Sequence, residues 1–113
     1  MRATSAVARH QRIKKIRKNT KGMGRARRAS HRLGRQAVVR SMQYQYRDRR
    51  NKKRDFRKLW ITRINAAARQ HGMSYSVFMD KLNKANITLN RKTLAELAVN
   101  EPSAFAEIAK TVK

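Results

Sequence analysis

The chain has 113 residues, with 30 Lys and Arg against six Asp and Glu, and its formal net charge is +24 at pH 7. It contains no cysteine, which excludes disulfides, thiolate metal ligands and thiol catalysis. No apolar run approaches the roughly 20 residues that a helix needs to cross a bilayer, and the length leaves room for one ordinary domain.

The positive charge is concentrated in residues 1–58, which we call the basic segment. It holds 22 of the 30 Lys and Arg with Asp48 and Asp55 as its acids, whereas residues 59–113 hold eight basic and four acidic side chains. Like charges repel, so this segment is expected to become compact only beside a polyanion. We therefore predict a basic extension over 1–58 and a small globular domain over 59–113.

The first predicted element is a short helix within residues 2–21, where few apolar side chains lie among dense Lys and Arg. Gly22 and Gly24 then predict a break. The acid-free start is also similar to an organellar transit peptide. Because the basic pattern continues to residue 58, we interpret the start as mature sequence.

Residues 25–71 predict one long helix, because they lack proline, have Gly34 as their single glycine and consist mostly of good helix formers. Its last turns carry a broad apolar face at helical spacing. The members of that face are Leu59, Trp60, Ile61, Ile64, Ala67 and Ala68. Gly72 is predicted to end the helix with a positive φ.

Three shorter helices are predicted next, each with a starting signal. Ser74 and Asn90 are candidate N-caps, and Pro102 suits the first position of a helix. The predicted inward faces are Tyr75, Phe78, Met79, Leu82 and Ala85; Leu94, Leu97 and Ala98; and Phe105, Ile108, Ala109 and Val112. The predicted fold class is all-α: a long basic helical extension and a small globular domain of about four helices.

The basic segment favours a nucleic-acid partner. Around residues 47–58 every helix face is basic, and a membrane-surface helix needs one apolar face. Arginine outnumbers lysine by 15 to 7 in the segment, and its planar fork binds phosphates bidentately and stacks on bases. Alternatives are a solvated charged surface and a basic targeting tail.

RNA is a better match than DNA. Tyr44 and Tyr46 can stack on unpaired bases, and the neighbouring Gln43 and Gln45 can reach base edges or a 2′-hydroxyl. DNA readers usually concentrate their contacts on one recognition helix with a short arm, whereas this chain spreads charge over a long segment. A small basic nucleoid-type DNA-packaging protein is the alternative.

The candidate RNA-binding residues are every cation of the basic segment, its two histidines and two tyrosines, and three polar side chains of the following helical turns. They are Arg2, Arg9, His10, Arg12, Lys14, Lys15, Arg17, Lys18, Lys21, Arg25, Arg27, Arg28, His31, Arg32, Arg35, Arg40, Tyr44, Tyr46, Arg47, Arg49, Arg50, Lys52, Lys53, Arg54, Arg57, Lys58, Arg63, Asn65 and Arg69. For Asn65, a structural hydrogen bond is an equal alternative. Trp60 is expected in the core rather than on a base.

No pattern of nucleophile, base and orienting group indicates an enzyme. The three histidines are far apart in sequence, so no metal site or cofactor is expected. Asp48 and Asp55 are each flanked by arginines and are predicted to form ion pairs three or four residues away, for Asp55 with Lys52 or Lys58.

One stretch resembles a known family. It runs Tyr46-Arg47-Asp48-Arg49-Arg50 and then Lys53-Arg54-Asp55-Phe56-Arg57-Lys58-Leu59-Trp60-Ile61-Thr62-Arg63-Ile64-Asn65-Ala66-Ala67-Ala68-Arg69. The stretch is similar to the bacterial-type large-subunit ribosomal protein twenty (L-twenty) family, and the similarity continues through Gly72, Ser74-Tyr75 and Phe78. The chain departs from the family pattern at Met23, where relatives have an aromatic residue, and its start is shorter.

The resemblance implies a helical extension buried in large-subunit ribosomal RNA, a small helical domain and a role early in subunit assembly. It implies ribosomal proteins thirteen and twenty-one as neighbours, with no membrane partner and no homo-oligomer. It also implies a cytoplasmic bacterial ribosome, with an organellar ribosome as the alternative. Some relatives repress translation of their own messenger RNA, and we keep that as an additional expected activity.

Overall fold

A computed structural model describes residues 6–113, so Arg2 lies outside the described residues. Within residues 6–113 the helices are α1 (Ala6–Asn19), α2 (Arg25–Ala29), α3 (His31–Gln70), α4 (Tyr75–Lys84), α5 (Arg91–Asn100) and α6 (Pro102–Thr111). Residues 6–113 contain no strand, and the predicted all-α class is confirmed. The chain divides into two compact units between Arg50 and Asn51. The domain boundary predicted from charge at residue 58 stays a prediction.

The first unit shows the predicted short helix and the predicted break. α1 ends at Asn19, and Gly22 adopts a φ of 86° in the turn that follows. Met23, in the place of the family's aromatic residue, is half-buried and donates its backbone N–H to Thr20 O at 3.0 Å. The turn is therefore closed mainly by its backbone, and it does not require an aromatic side chain at position 23.

The single helix predicted over residues 25–71 is wrong at Ser30. That residue adopts an extended conformation (φ −89°, ψ 125°) and separates α2 from α3. Its hydroxyl accepts a hydrogen bond from Leu33 N at 3.4 Å and so caps the new helix. Serine is compatible with helix interiors and with caps, so its identity alone did not reveal the break.

Close packing around Gly34 explains why the chain turns at Ser30. A Cβ added to Gly34 would lie 2.8 Å from Arg27 O, 3.3 Å from Ile16 Cγ2 and 3.6 Å from Thr20 Cγ2. Only a residue without a side chain allows α1 and α2 to approach the first turn of α3 this closely. Among residues 6–50, Thr20 and Gly34 are the buried positions, so this contact is the small packed centre of the first unit.

The second unit has an apolar core built from the last turns of α3 and from α4 to α6. The predicted core residues Phe78, Leu82, Leu94 and Phe105 are each 1% exposed or less. The Phe78 and Phe105 rings are 5.2 Å apart between centroids, a favourable spacing for aromatic packing. The other members of the buried cluster are Ile64, Ala68, Met73, Ala95, Ala109 and Val112, with half-buried Trp60, Tyr75, Leu97 and Ile108 packed against them.

The apolar face predicted on α3 is narrower than the sequence indicated. Trp60, Ile64 and Ala68, spaced four residues apart, face the core, while Leu59 is 41% exposed. Each helical residue is rotated by about 100° from the preceding one, so Leu59 lies beside that face rather than on it. Ala85, also predicted inward, is exposed because it caps the end of α4.

The helix boundaries predicted at Gly72, Asn90 and Pro102 are confirmed by their capping geometry. Gly72 adopts a φ of 79°, and the N–H groups of Gly72 and Met73 donate to Arg69 O and Ala68 O. This pair of bonds is a Schellman motif, which places the apolar Met73 against the core. Asn90 Oδ1 accepts from Thr93 N at 2.8 Å, and Pro102 begins α6.

Candidate nucleic-acid interface

The predicted cations of α1 and α2 all lie on the surface. Each candidate from Arg9 to Arg28 is exposed, while Ile13 and Ile16 are half-buried. The α1 helix therefore turns its two isoleucines inward and presents charge elsewhere. The break at Ser30 places Arg28 in α2 and Arg32 in α3, so regular helical spacing does not put these two arginines on one face.

A shallow groove follows one face of α3 within the first unit. The groove is lined by Arg32, Arg35, Gln36, Val39, Arg40 and Gln43. These positions repeat at three- and four-residue spacing, as expected for one side of a helix. Three guanidinium groups and two amides beside an apolar side chain suit a phosphate–sugar backbone. The sequence pattern had indicated Gln43 as a group that can reach a base edge, whereas Gln36 was not selected because glutamine carries no charge signal.

Arginines lie over both tyrosines of the first unit. The Arg47 guanidinium carbon is 4.8 Å from the Tyr44 ring centroid, and that of Arg50 is 5.1 Å from the Tyr46 centroid. Arg50 Nη2 also donates to Tyr46 Oη at 3.4 Å. The tyrosines remain 46% and 59% exposed. Each arginine is thereby partly oriented by an aromatic ring, and both arginine side chains remain exposed.

The cations between residues 52 and 58 are exposed without exception. Lys52 Nζ lies 5.8 Å from the Phe56 ring centroid, and the Phe56 and Trp60 rings are 6.4 Å apart. Phe56 is 45% exposed, whereas Trp60 is half-buried and packs against the core, as expected. This turn of α3 therefore combines dense positive charge with one accessible aromatic ring.

Among the three candidates in the last turns of α3, Asn65 and Arg69 make hydrogen bonds within the protein. Asn65 Oδ1 accepts from Tyr75 N at 3.2 Å and from Arg69 Nε at 3.3 Å. Asn65, rather than the predicted cap Ser74, thus satisfies the first N–H of α4; Ser74 Oγ pairs with Ser76 Oγ instead. The structural hydrogen bond that we kept as an alternative for Asn65 is therefore present, while Arg63 and Arg69 are exposed.

Little of the positive charge is neutralised within the described chain. Between residues 6 and 113, the two ion pairs are Arg47–Asp48 at 2.9 Å and Lys84–Asp80 at 2.7 Å. The predicted spacing is wrong for Asp48, which pairs with its immediate neighbour, and Asp55 joins neither pair. Surface pairs of this kind contribute about 0–1 kcal/mol each, so the cations remain available for an external anion.

Arg91 is a cation that sequence reasoning did not select. It is half-buried in α5, and its Nε donates to Tyr75 Oη at 2.8 Å. The partner tyrosine is 16 residues away in sequence, and no local pattern signals such a bond.

Over residues 6–113, no group of three or more His, Cys, Asp or Glu is arranged to hold a metal ion, and no helix is long and apolar enough to cross a membrane.

Comparison with known proteins agrees with the predicted resemblance. The family model described as ribosomal protein L20 matches residues 2–108. The chain is 55% identical over 112 residues to the large ribosomal subunit protein bL20 of Acetivibrio thermocellus, covering 99% of this chain and 96% of the relative. It is 54% identical to bL20 of Carboxydothermus hydrogenoformans with the same coverage. Identity to bL20 of Burkholderia ambifaria is 55%, with 99% and 92% coverage.

Proposed function

Since the chain belongs to the ribosomal protein L20 family, we propose that it binds large-subunit ribosomal RNA directly and assists early assembly of the large subunit. The family consists of structural proteins of the large ribosomal subunit and is not a family of enzymes.

One observation carries the proposal: the basic segment exposes its charge almost entirely unpaired. Every described cation of residues 6–58 is solvent-exposed, and one of them, Arg47, pairs with an acid of the described chain. RNA supplies one phosphate per nucleotide, so a folded RNA surrounds a basic helix with the anions that it lacks. Release of condensed counterions then favours binding.

The tyrosine–arginine pairs support RNA over a duplex without unpaired bases. Exposed rings at Tyr44 and Tyr46 can stack on splayed bases, while Arg47 and Arg50 meet the adjoining phosphates. Unpaired bases are common in folded ribosomal RNA and rare in uniform duplex DNA. The candidate residues given above, from Arg9 to Arg69 together with Arg2, form the proposed interface.

The named relatives belong to the large ribosomal subunit of bacteria, so we place this chain in the bacterial ribosome. The proposed neighbours are ribosomal proteins thirteen and twenty-one, on the family resemblance. Repression of its own messenger RNA is a further proposed activity. This repression requires a leader in the messenger RNA that presents phosphates and unpaired bases in the same arrangement as the ribosomal site. Competition between the leader RNA and the ribosomal RNA for the chain tests the proposed repression.

The direct test is a binding competition with the full chain. The chain is titrated with a bacterial large-subunit ribosomal RNA transcript at physiological salt, in the presence of excess duplex DNA. We expect the RNA to retain the protein. Equal competition by the DNA would contradict the proposal and favour a small nucleoid-type DNA-packaging protein, because such a protein binds any duplex through phosphates alone.

A further inference from the structure

Two arginines of the second unit, Arg69 and Arg91, are each held by a hydrogen bond to a different side chain. The Nε of Arg69 donates to Asn65 Oδ1 at 3.3 Å, and the same oxygen accepts from the backbone N–H of Tyr75 at 3.2 Å. The phenol oxygen of Tyr75 accepts from Arg91 Nε at 2.8 Å. Arg69 of α3 is thus oriented by Asn65, and Arg91 of α5 is oriented by Tyr75.

The bonds that hold these arginines leave their binding groups available. In each guanidinium, the hydrogen bond uses Nε, and the described residues provide no hydrogen bond or ion pair to its terminal nitrogens. The two terminal nitrogens form the edge that grips a phosphate end-on with two parallel bonds. Tyr75 and Arg91 are half-buried, so the side chains lose less freedom on binding than solvent-exposed arginines do.

Helix stability does not explain the position of Arg91. It is the first residue of α5, whose first turn has no acidic side chain. The macrodipole makes that end of a helix favourable for anions and unfavourable for cations. An arginine held there by a tyrosine carries an electrostatic cost in the free protein, and an external anion would remove that cost.

We propose that Arg69 and Arg91 bind two phosphate groups of one RNA, with Asn65 positioning Arg69 and Tyr75 positioning Arg91. This inference rests on the proposed function and deepens it. Two fixed forks select RNA by the spacing of its phosphates rather than by base sequence. The second unit then contributes shape recognition, and Arg91 joins the interface as a residue outside the basic segment.

The test compares four variants of the full chain in binding to the large-subunit ribosomal RNA transcript, over a range of salt. Arg91→Ala should weaken binding by about tenfold, the loss expected for one charge-assisted contact. It should also reduce the slope of log affinity against log salt by about 0.7–0.9, one phosphate contact. The matched control, Lys110→Ala, removes one exposed charge from the same unit at a site distant in sequence and should change affinity by about twofold or less.

Tyr75→Phe separates positioning from charge. It keeps the ring in the core and removes the hydroxyl that holds Arg91, so binding should weaken by roughly threefold with an unchanged salt slope. In the double variant with Arg91→Ala, the tyrosine substitution should add no further loss, because its effect passes through Arg91. Thermal unfolding of each variant reports any loss of folding separately.

Four results would overturn the inference: equal losses for Arg91→Ala and Lys110→Ala, an unchanged slope for Arg91→Ala, full additivity in the double variant, or losses matched by a fall in Tm. In each of these cases the wild type still binds the transcript in preference to duplex DNA, and the proposed function stands. If the wild type shows no such preference, the proposed function fails and the inference falls with it.

Discussion

The two units of this chain differ in how much apolar surface they bury. Between residues 6 and 50, the first unit buries Thr20 and Gly34 and exposes most of the other residues, whereas the second unit, from Asn51 onward, buries ten apolar residues in one cluster. Each buried large apolar side chain contributes roughly 1.5–3 kcal/mol. We therefore expect the first unit to depend on an external partner for its stability and the second to depend on its own core.

The largest expected effect is on the second unit. Phe105→Ala removes a ring that is 1% exposed and in contact with the Phe78 ring, and it should lower the free energy of unfolding by about 3–5 kcal/mol. Thermal or urea unfolding measures this. As a control, Val99→Ala on α5 changes a side chain that is 55% exposed and should cost about 0.5 kcal/mol or less. Equal effects would contradict the assigned core.

The next largest effect concerns the charge of α3. Replacing Arg49, Arg50 and Arg54 together with alanine should weaken binding to large-subunit ribosomal RNA by about a hundredfold or more. The salt slope should flatten by about 0.7–0.9 for each lost phosphate contact. The matched control removes the same charge from Lys84, Lys110 and Lys113. An unchanged slope in the arginine variant would mean that these side chains do not meet phosphates.

A smaller effect is expected at the packed centre of the first unit. Gly34→Ala places a Cβ 2.8 Å from the backbone oxygen of Arg27, and the overpacking should cost about 1–3 kcal/mol. The better helix propensity of alanine offsets about 1 kcal/mol at most. RNA affinity of the full chain should fall accordingly. Gly24→Ala is the control, since no atom lies within 4 Å of its added Cβ. Equal affinities of the two variants would contradict the packing.

The smallest effect is expected at a helix cap. Asn90→Ala removes the oxygen that accepts from Thr93 N and from Thr93 Oγ1, and it should lower the free energy of unfolding by about 1 kcal/mol. The control is Asn83→Ala, a substitution at an exposed position within α4. It should leave the free energy of unfolding unchanged or raise it, because alanine is the better helix former. If Asn83→Ala lowered stability and Asn90→Ala did not, the capping role assigned to Asn90 would be contradicted.

Capping signals in the sequence predicted several helix ends. Gly72 adopts a positive φ, Asn90 supplies a side-chain oxygen that accepts from a backbone N–H, and Pro102 lacks a backbone N–H. Each of these effects involves only nearby residues, so the sequence itself reveals it. The break at Ser30 was not predictable in this way. It arises from the contact of Gly34 with Ile16 and Thr20, and single-residue propensities do not contain tertiary contacts.

For the candidate site, the exposure of the cations was predictable from composition, because lysine and arginine are rarely buried. Their contact with RNA stays a prediction. Arg91 was missed because its partner, Tyr75, is distant in the sequence and the bond forms only in the folded unit. Met73 was missed for a related reason. It lies beyond the end of α3, where helical spacing no longer applies, and the Schellman motif turns it inward.

The contrast between the two units is tested most directly by amide hydrogen exchange on the full chain, free and bound to large-subunit ribosomal RNA. The account predicts fast exchange of amides in residues 6–50 of the free chain and slow exchange in the complex. Amides of α4, α5 and α6 should be protected in both states, because their core does not require RNA. Strong protection of residues 31–50 in the free chain would contradict the claim that this unit needs a polyanion to become ordered.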